Sequence, residues 1–317
     1  MAAKRAAVNR GALIGGCLLA LLVIVAALAP VLAPDDPRLS SGPPLQAPSR
    51  AHPFGTNDIG QDIFSEWLWG ARASLVVGLL VTLLSTTLSW SVGIAAGLWR
   101  RAEGPLLAVT DLLLALPSLP LYLLVVVAAG PSQRNLVLAL GLLSWPAFAR
   151  VVRSQVITLR GESYIEAARA LGAGPWRIAR RHILPGTFGL LPAKIVLTLR
   201  FAIFTEATLA FLGLGDPALK SWGTMLSWAF AYPLLFLGDV WTWWVLPPAL
   251  AIILVVLATT WLAIGLERGP DRRLAELIDT FVSLLVASTT RSPLRPGSSR
   301  PADATAVRRP GTVSSER

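Results

Sequence analysis

The chain has 317 residues, of which 54% are hydrophobic and only 15% charged; a soluble domain of ordinary composition carries about 25% charged residues. The apolar residues come in runs near the roughly 20 that a bilayer-crossing helix needs, so a soluble globule is excluded and an all-α integral membrane protein is expected. The net charge of +10 sits in short loops and a tail between apolar runs, which fits the positive-inside bias of membrane loops and not a nucleic-acid-binding face.

Lys4, Arg5 and Arg10 precede an apolar run from 11 to about 32. A signal peptide begins the same way, and Ala27-Leu28-Ala29 resembles a cleavage site. The run, about 22 residues, exceeds the roughly 7–15-residue core of a signal peptide, so a retained first span is expected. The single cysteine, Cys17, lies inside this run, which leaves no disulfide or paired-cysteine metal site. Residues 34–55 are rich in Pro, Ser and Gly and read as an extended, solvated loop. His52 is one of two histidines, far in sequence from His182; it reads as structural, and no metal site is assigned.

Further spans are expected at about 75–98, 106–129, 136–149, 190–214 and 245–266. The third contains Asp111 and Pro117, the fourth Pro146, and the fifth Lys194, Arg200 and Glu206. Charges inside spans are costly and usually face a bundle interior or a water-filled path. Glu206, Arg200 and Asp111 are therefore the candidates for pathway or bundle-interior polar groups. Asp111 is expected in the first turns of its span, where the helix dipole favours an acid, and Lys194 is expected to snorkel to the membrane surface. Trp222, Trp228, Trp241, Trp243 and Trp244 are expected as interfacial anchors.

The long polar interruption at 163–185 stands apart. Ser163 and Glu166 have the spacing of a capping box, Gly172 suits a left-handed helix stop, and Gly174-Pro175 suits the start of a second helix. Pro185 is expected to end that helix. The result is a rigid knob of two short helices between the fourth and fifth spans.

Counting Lys and Arg gives a topology. With both ends inside, the inner segments take the three N-terminal cations, Arg100 and Arg101, seven in the 150–181 loop and nine after Glu267, against five outside. Six spans with both termini cytoplasmic satisfy the positive-inside bias, and an odd number does not. Residues 1–70 then form the first span and an external loop, 71–268 a core of five spans with the knob in 150–187, and 269–317 a cytoplasmic tail. In the tail, 272–286 has the pattern of an amphipathic surface helix, the apolar stretch at 278–287 is too short for a seventh span, and disorder is expected beyond 291.

The knob resembles a signature of bacterial ABC-importer permeases: EAA, three residues, Gly, nine residues, Ile, one residue, Leu-Pro. Glu166, Ala167, Ala168, Gly172, Leu184 and Pro185 fall in register, and His182 stands at the isoleucine position. A second block at 52–79 is similar to the dipeptide/oligopeptide/nickel branch through His52, Pro53, Gly55, Thr56, Gly60, Asp62, Gly70, Ala71, Arg72 and Ser74. It departs at Asn57 and Gln61, where the branch has an acid and an arginine, which puts a local ion pair there in question. DLLLALPSLP at 111–120, FLGLG at 211–215 and SWGTML at 221–226 continue the resemblance, which covers about 52–266; the long tail departs from it.

The resemblance implies a type I ABC-importer permease fold of six transmembrane helices, in the bacterial inner membrane. It implies a second homologous permease subunit, two cytoplasmic ABC ATPases and an extracytoplasmic solute-binding protein as partners, with peptides, nickel complexes or related small solutes as cargo. Glu166, Ala167, Ala168, Arg169, Leu171, Gly172, Leu184 and Pro185 would then couple to the ATPase. No G-x-x-x-x-G-K-[ST], H-E-x-x-H or G-x-S-x-G motif is present, so neither catalysis nor a cofactor is expected on this chain. The alternatives are a secondary transporter, which calls for repeated halves with broken helices, and a membrane scaffold without an ATPase partner.

Overall fold

The structure is a computed structural model and describes residues 2–267. The tail expectations, from the surface helix to the disordered end, lie outside the described residues. Among the described residues the regular elements are helices, with one isolated antiparallel bridge between Thr56 and Asp62.

Helix α1 covers Ala2–Ala27 and is followed by a single turn, Ala29–Leu32. After the 33–62 loop, α2 runs Ile63–Leu98, 36 residues, about 54 Å at 1.5 Å per residue. At that length α2 is longer than the bilayer's apolar core of roughly 30 Å. It starts twelve residues before the expected span because the Asp62 side chain caps it, accepting from the Ser65 backbone N–H at 2.7 Å.

The expected third span is two helices, α3 at Arg100–Ala115 and α4 at Ser118–Ala129, bent by 94°. Pro117 is the cause: it disfavours helical backbone at the residue before it, and Leu116 is extended at φ −85°, ψ 139°. Helix α5, Gln133–Arg160, continues eleven residues past the expected end of the fourth span, with a break at Ser144 and Trp145.

Helix α6 is Ser163–Ala170. Helix α7, Pro175–Leu214, is one run of 40 residues and passes through π turns at Ala179–Ile183 and Ala210–Leu214. Pro185 therefore does not end its helix. It sits in the first turn after a π turn, where the ladder is already reset and its missing N–H costs least. Helix α8 is Trp222–Ala231 and α9 is Leu246–Glu267.

Four of these helices (α2, α5, α7, α9) are long and apolar enough to cross a membrane, and the bent α3–α4 pair makes a fifth if it counts as one span. Within α1, Gly11–Ala27 is a shorter apolar stretch. Helix α2 packs closely on α5: a Cβ on Gly93 would lie 2.6 Å from Val152, and one on Gly97 2.6 Å from Val156. The same C-terminal half of α2 meets the α6 region, and we call this the elbow end. The N-terminal end of α2 carries the 33–62 loop, and we call it the loop end.

Trp222 and Trp244 are core residues at the loop end, packed with Ile63, Met225 and Leu235, and not interfacial anchors as expected. Their burial follows from the approach of α8 and the short turn Val240–Trp244 to the start of α2. Trp222 Nε1–H donates to the Trp67 carbonyl at 3.2 Å, and Trp67 Nε1–H to the Pro247 carbonyl at 3.0 Å.

Candidate functional site

The elbow, formed by α6 and its turn through Gly172 and Gly174 into α7, is built on one anchor that the sequence pattern did not single out. Ile165 is fully buried in α6 and packs with Val156 of α5, Ile178 and Ile183 of α7, and Trp90 of α2. Its neighbours on α6 point away: Glu166, Ala167, Arg169 and Ala170 are exposed, Ala168 is half-buried, and Leu171 just beyond is 88% exposed. The available signal was a single β-branched apolar residue in an otherwise polar and small-residue helix.

The start of α6 differs from expectation. Glu162 occupies the capping position at φ −71°, ψ 139° without a side-chain bond. Ser163 is therefore already inside the helix, and the Ser163–Glu166 capping box does not form. The end of α6 matches expectation. Gly172 is left-handed at φ +83°; its N–H donates to the Arg169 carbonyl at 2.9 Å, and the Ala173 N–H to the Ala168 carbonyl at 3.0 Å. This pair of bonds is a Schellman motif. Gly174 then caps α7, and Pro175 sits in its first turn. A hollow of about 630 Å³ beside the elbow is lined by Gly172, Gly174, Trp176, Arg177, Arg180 and Arg181. Leu184 packs on the Ile165 cluster and Pro185 is exposed, both on α7, apart from the exposed face of α6.

The long helices around the elbow are tied to one another by polar bonds. Arg160 donates to the Gly97 carbonyl at 2.6 Å, a cation at the C-terminal end of α2, where the helix dipole favours it. Trp90 Nε1–H donates to Thr187 Oγ1 at 3.0 Å, and its ring stacks on Phe148 at 5.5 Å between centroids. These bonds join α2, α5 and α7 to one another around the cluster that holds Ile165.

The charges in the spans fall into different settings. Glu206 is buried and accepts from the Ser74 hydroxyl at 3.0 Å, joining α7 to α2. Arg200 is half-buried and donates to Thr260 Oγ1 of α9 at 3.2 Å. Asp111 is not in the first turns of a span; it lies near the C-terminal end of α3, exposed, and is ion-paired with Arg150 of α5. Glu103 pairs with Arg153 in the same way, and the two pairs hold α3 along α5. Lys194 does not snorkel to a surface. It is fully buried, with Nζ donating to Ser85 Oγ at 3.0 Å and lying 5.1 Å from the Phe148 ring centroid, because α7 turns this position toward α2 and α5. The structure thus does not bring Glu206, Arg200 and Asp111 into one cluster.

The loop end holds a network that sequence reasoning missed. The ammonium of Lys220 lies 2.6 Å from Glu66 Oε1, 2.7 Å from Gln61 Oε1 and 3.9 Å from the centroid of the Trp228 ring. Asn57 Nδ2 donates to Gln61 Oε1 at 3.0 Å and to Glu66 Oε1 at 3.1 Å. Where the family block puts an acid and an arginine, this chain keeps two amides and completes the charge pair from 154 residues away. Residues 34–55, expected as a solvated loop, are buried at His52 and Gly55, and the burial continues through Thr56 and Asn57. His52 is not isolated: Asp35, His52 and Asp62 place ligand-type atoms within 4.8 Å of one another. Both Asp62 oxygens are already engaged, one with His52 Nδ1 at 3.1 Å and the other with the Ser65 N–H, which describes a helix cap braced by an imidazole.

Comparison with known proteins matches the sequence to two family models. The family described as binding-protein-dependent transport system inner membrane component matches residues 88–276. The N-terminal domain of oligopeptide transport permease C matches residues 1–49. The di/tripeptide transport system permease of Pseudomonas aeruginosa (strain UCBPP-PA14) is 37% identical over 84% of this chain and 89% of its own. The glutathione transport system permease of Pectobacterium atrosepticum is 36% identical over 83% and 87%. The dipeptide transport system permease of Alkalihalophilus pseudofirmus is 35% identical over 84% and 87%. Among solved structures, the inward-facing methionine ABC transporter MetNI aligns with a TM-score of 0.48 at 18% identity, over 65% of this chain and 98% of that one. On the family match and these identities, the chain belongs to the inner-membrane permease components of binding-protein-dependent transport systems.

Proposed function

We propose that this chain forms half of the translocation path of an ATP-driven importer of peptides, and that its elbow transmits the closure of a partner ATPase to the membrane helices. The observation that carries the coupling role is the braced, protruding α6: a short helix stopped by Gly172, anchored inward by Ile165, and presenting Glu166, Ala167, Arg169 and Leu171 outward. A partner gripping that face moves three long helices at once, and ATP binding biases the bundle if the two states contact the partner differently. Leu184 packs behind this face in the Ile165 cluster, Ala168 is half-buried within α6, and Pro185 lies exposed on α7.

The cargo reading rests on the relatives, whose names specify di/tripeptides, dipeptides and glutathione. Nickel complexes, the other cargo implied by the sequence branch, have no such support among them. The proposed assembly pairs this chain with a second permease, two ATPases and an external binding protein. Counting α1 and taking α3–α4 as one bent span gives six spans, with both termini and the elbow cytoplasmic. In this division 1–70, 71–268 and 269–317 are the entry segment, the permease core and the tail. Glu206 and Arg200 tie α7 to α2 and α9 inside the core.

The test is a cross-link. Leu171→Cys in a Cys17→Ser background, co-expressed with the ATPases of the host and single cysteines in them, is expected to give an ATP-sensitive disulfide. An inserted chain that cross-links to no ATPase of the host would remove the coupling role.

A further inference from the structure

The 33–62 loop and the segment around α8 enclose a hollow of about 570 Å³ at the loop end, within the range of roughly 300–1,000 Å³ typical of small-ligand clefts. Its lining includes the aromatic Trp228 and Tyr232 and the charged Arg38, Asp58 and Lys220. These three charges differ in availability. Lys220 is occupied by Glu66, Gln61 and the Trp228 ring. Arg38 and Asp58 are exposed, of opposite sign, and neither forms an ion pair among the described residues.

The frame around them is preset. The Gln61 side chain donates to the Arg38 carbonyl at 3.0 Å, and the Gln61 backbone N–H to Asn57 Oδ1 at 2.9 Å. The Ile59 N–H, next to Asp58, also donates to Asn57 Oδ1, at 3.1 Å. The backbone at both charged positions is thus held by one buried amide network, which lowers the ordering cost of binding.

We propose that this hollow receives short zwitterionic peptides, with Arg38 taking the carboxylate, Asp58 the ammonium, and Trp228 and Tyr232 an apolar side chain. A guanidinium matches a carboxylate through paired N–H donors, and charge-assisted hydrogen bonds are the stronger kind. The proposal rests on the peptide-permease reading and adds a site to it, at the opposite end of α2 from the elbow.

The experiment is equilibrium dialysis of radiolabelled Ala-Phe against the full chain in lipid nanodiscs, with the N-acetylated and C-amidated forms alongside. Saturable binding is expected. N-acetylation or Asp58→Asn should each weaken it about tenfold or more, and acetylation should cost nothing further in Asp58→Asn. Amidation and Arg38→Gln should pair in the same way. Both variants are at exposed positions; if either lowers the melting temperature, the capped peptides on the unaltered chain decide alone. Absence of saturable binding, or binding indifferent to capping, overturns the proposal. Peptide uptake by the assembled importer alongside a negative dialysis would remove the hollow while leaving the permease function intact, whereas loss of the Leu171 cross-link bears on the elbow alone.

Discussion

Gly172 holds φ at +83° with open space around its α-carbon, so backbone conformation and not crowding determines what can replace it. A left-handed conformation costs an ordinary L-residue roughly 1–2 kcal/mol, and a β-branched side chain is a worse fit still. Gly172→Val is expected to abolish ATP-driven uptake while leaving membrane insertion intact, because it breaks the Schellman stop between α6 and α7. Gly172→Asn should keep most of the activity, since asparagine visits this region readily. Uptake measured beside the yield in the membrane fraction checks both; normal transport by the valine variant would remove the elbow from the mechanism.

At the scale of the element, α6 is too short to hold itself together. Isolated helices below about 12–15 residues are marginal in water, and this one has 8 with no side-chain cap at its start. Its stability comes from Ile165 in the pocket made by α2, α5 and α7. Truncating a buried isoleucine typically costs about 2–5 kcal/mol, so Ile165→Ala is expected to loosen the elbow. Trypsin should cleave faster at Arg160 and Arg169, uptake should fall, and the main melting transition should stay in place. Unchanged proteolysis would mean that α6 is held by something other than this anchor.

Across the whole molecule, the elbow and the loop end lie at opposite ends of a 36-residue helix, about 54 Å apart by helical rise. If α2 spans the bilayer, the two ends face different compartments. In a Cys17→Ser background, Ile59→Cys and Leu171→Cys, both at exposed positions, should react with a membrane-impermeant thiol reagent from opposite sides. Leu171→Cys should be reached only from the cytoplasm. Labelling of both from one side would overturn the proposed orientation.

Composition and local chemistry alone made this chain a helical membrane protein and located its elbow. Apolar run length is a one-dimensional property, and the demands of Gly172, Gly174 and Pro175 are set within a few residues of each. The family signature was legible for the same reason, since its residues lie within one short segment. The tertiary structure decided what depends on neighbours distant in sequence. The expected third span ran through Pro117, where the structure bends by 94°; ion pairs from Asp111 and Glu103 to Arg150 and Arg153 of α5 then hold α3 in place. Lys194 turned inward, and Trp222 and Trp244 became core, because helices approach them from elsewhere in the chain. Glu66 found its cation at Lys220, 154 residues away, a partnership that no local pattern encodes because it exists only once α2 and α8 are side by side.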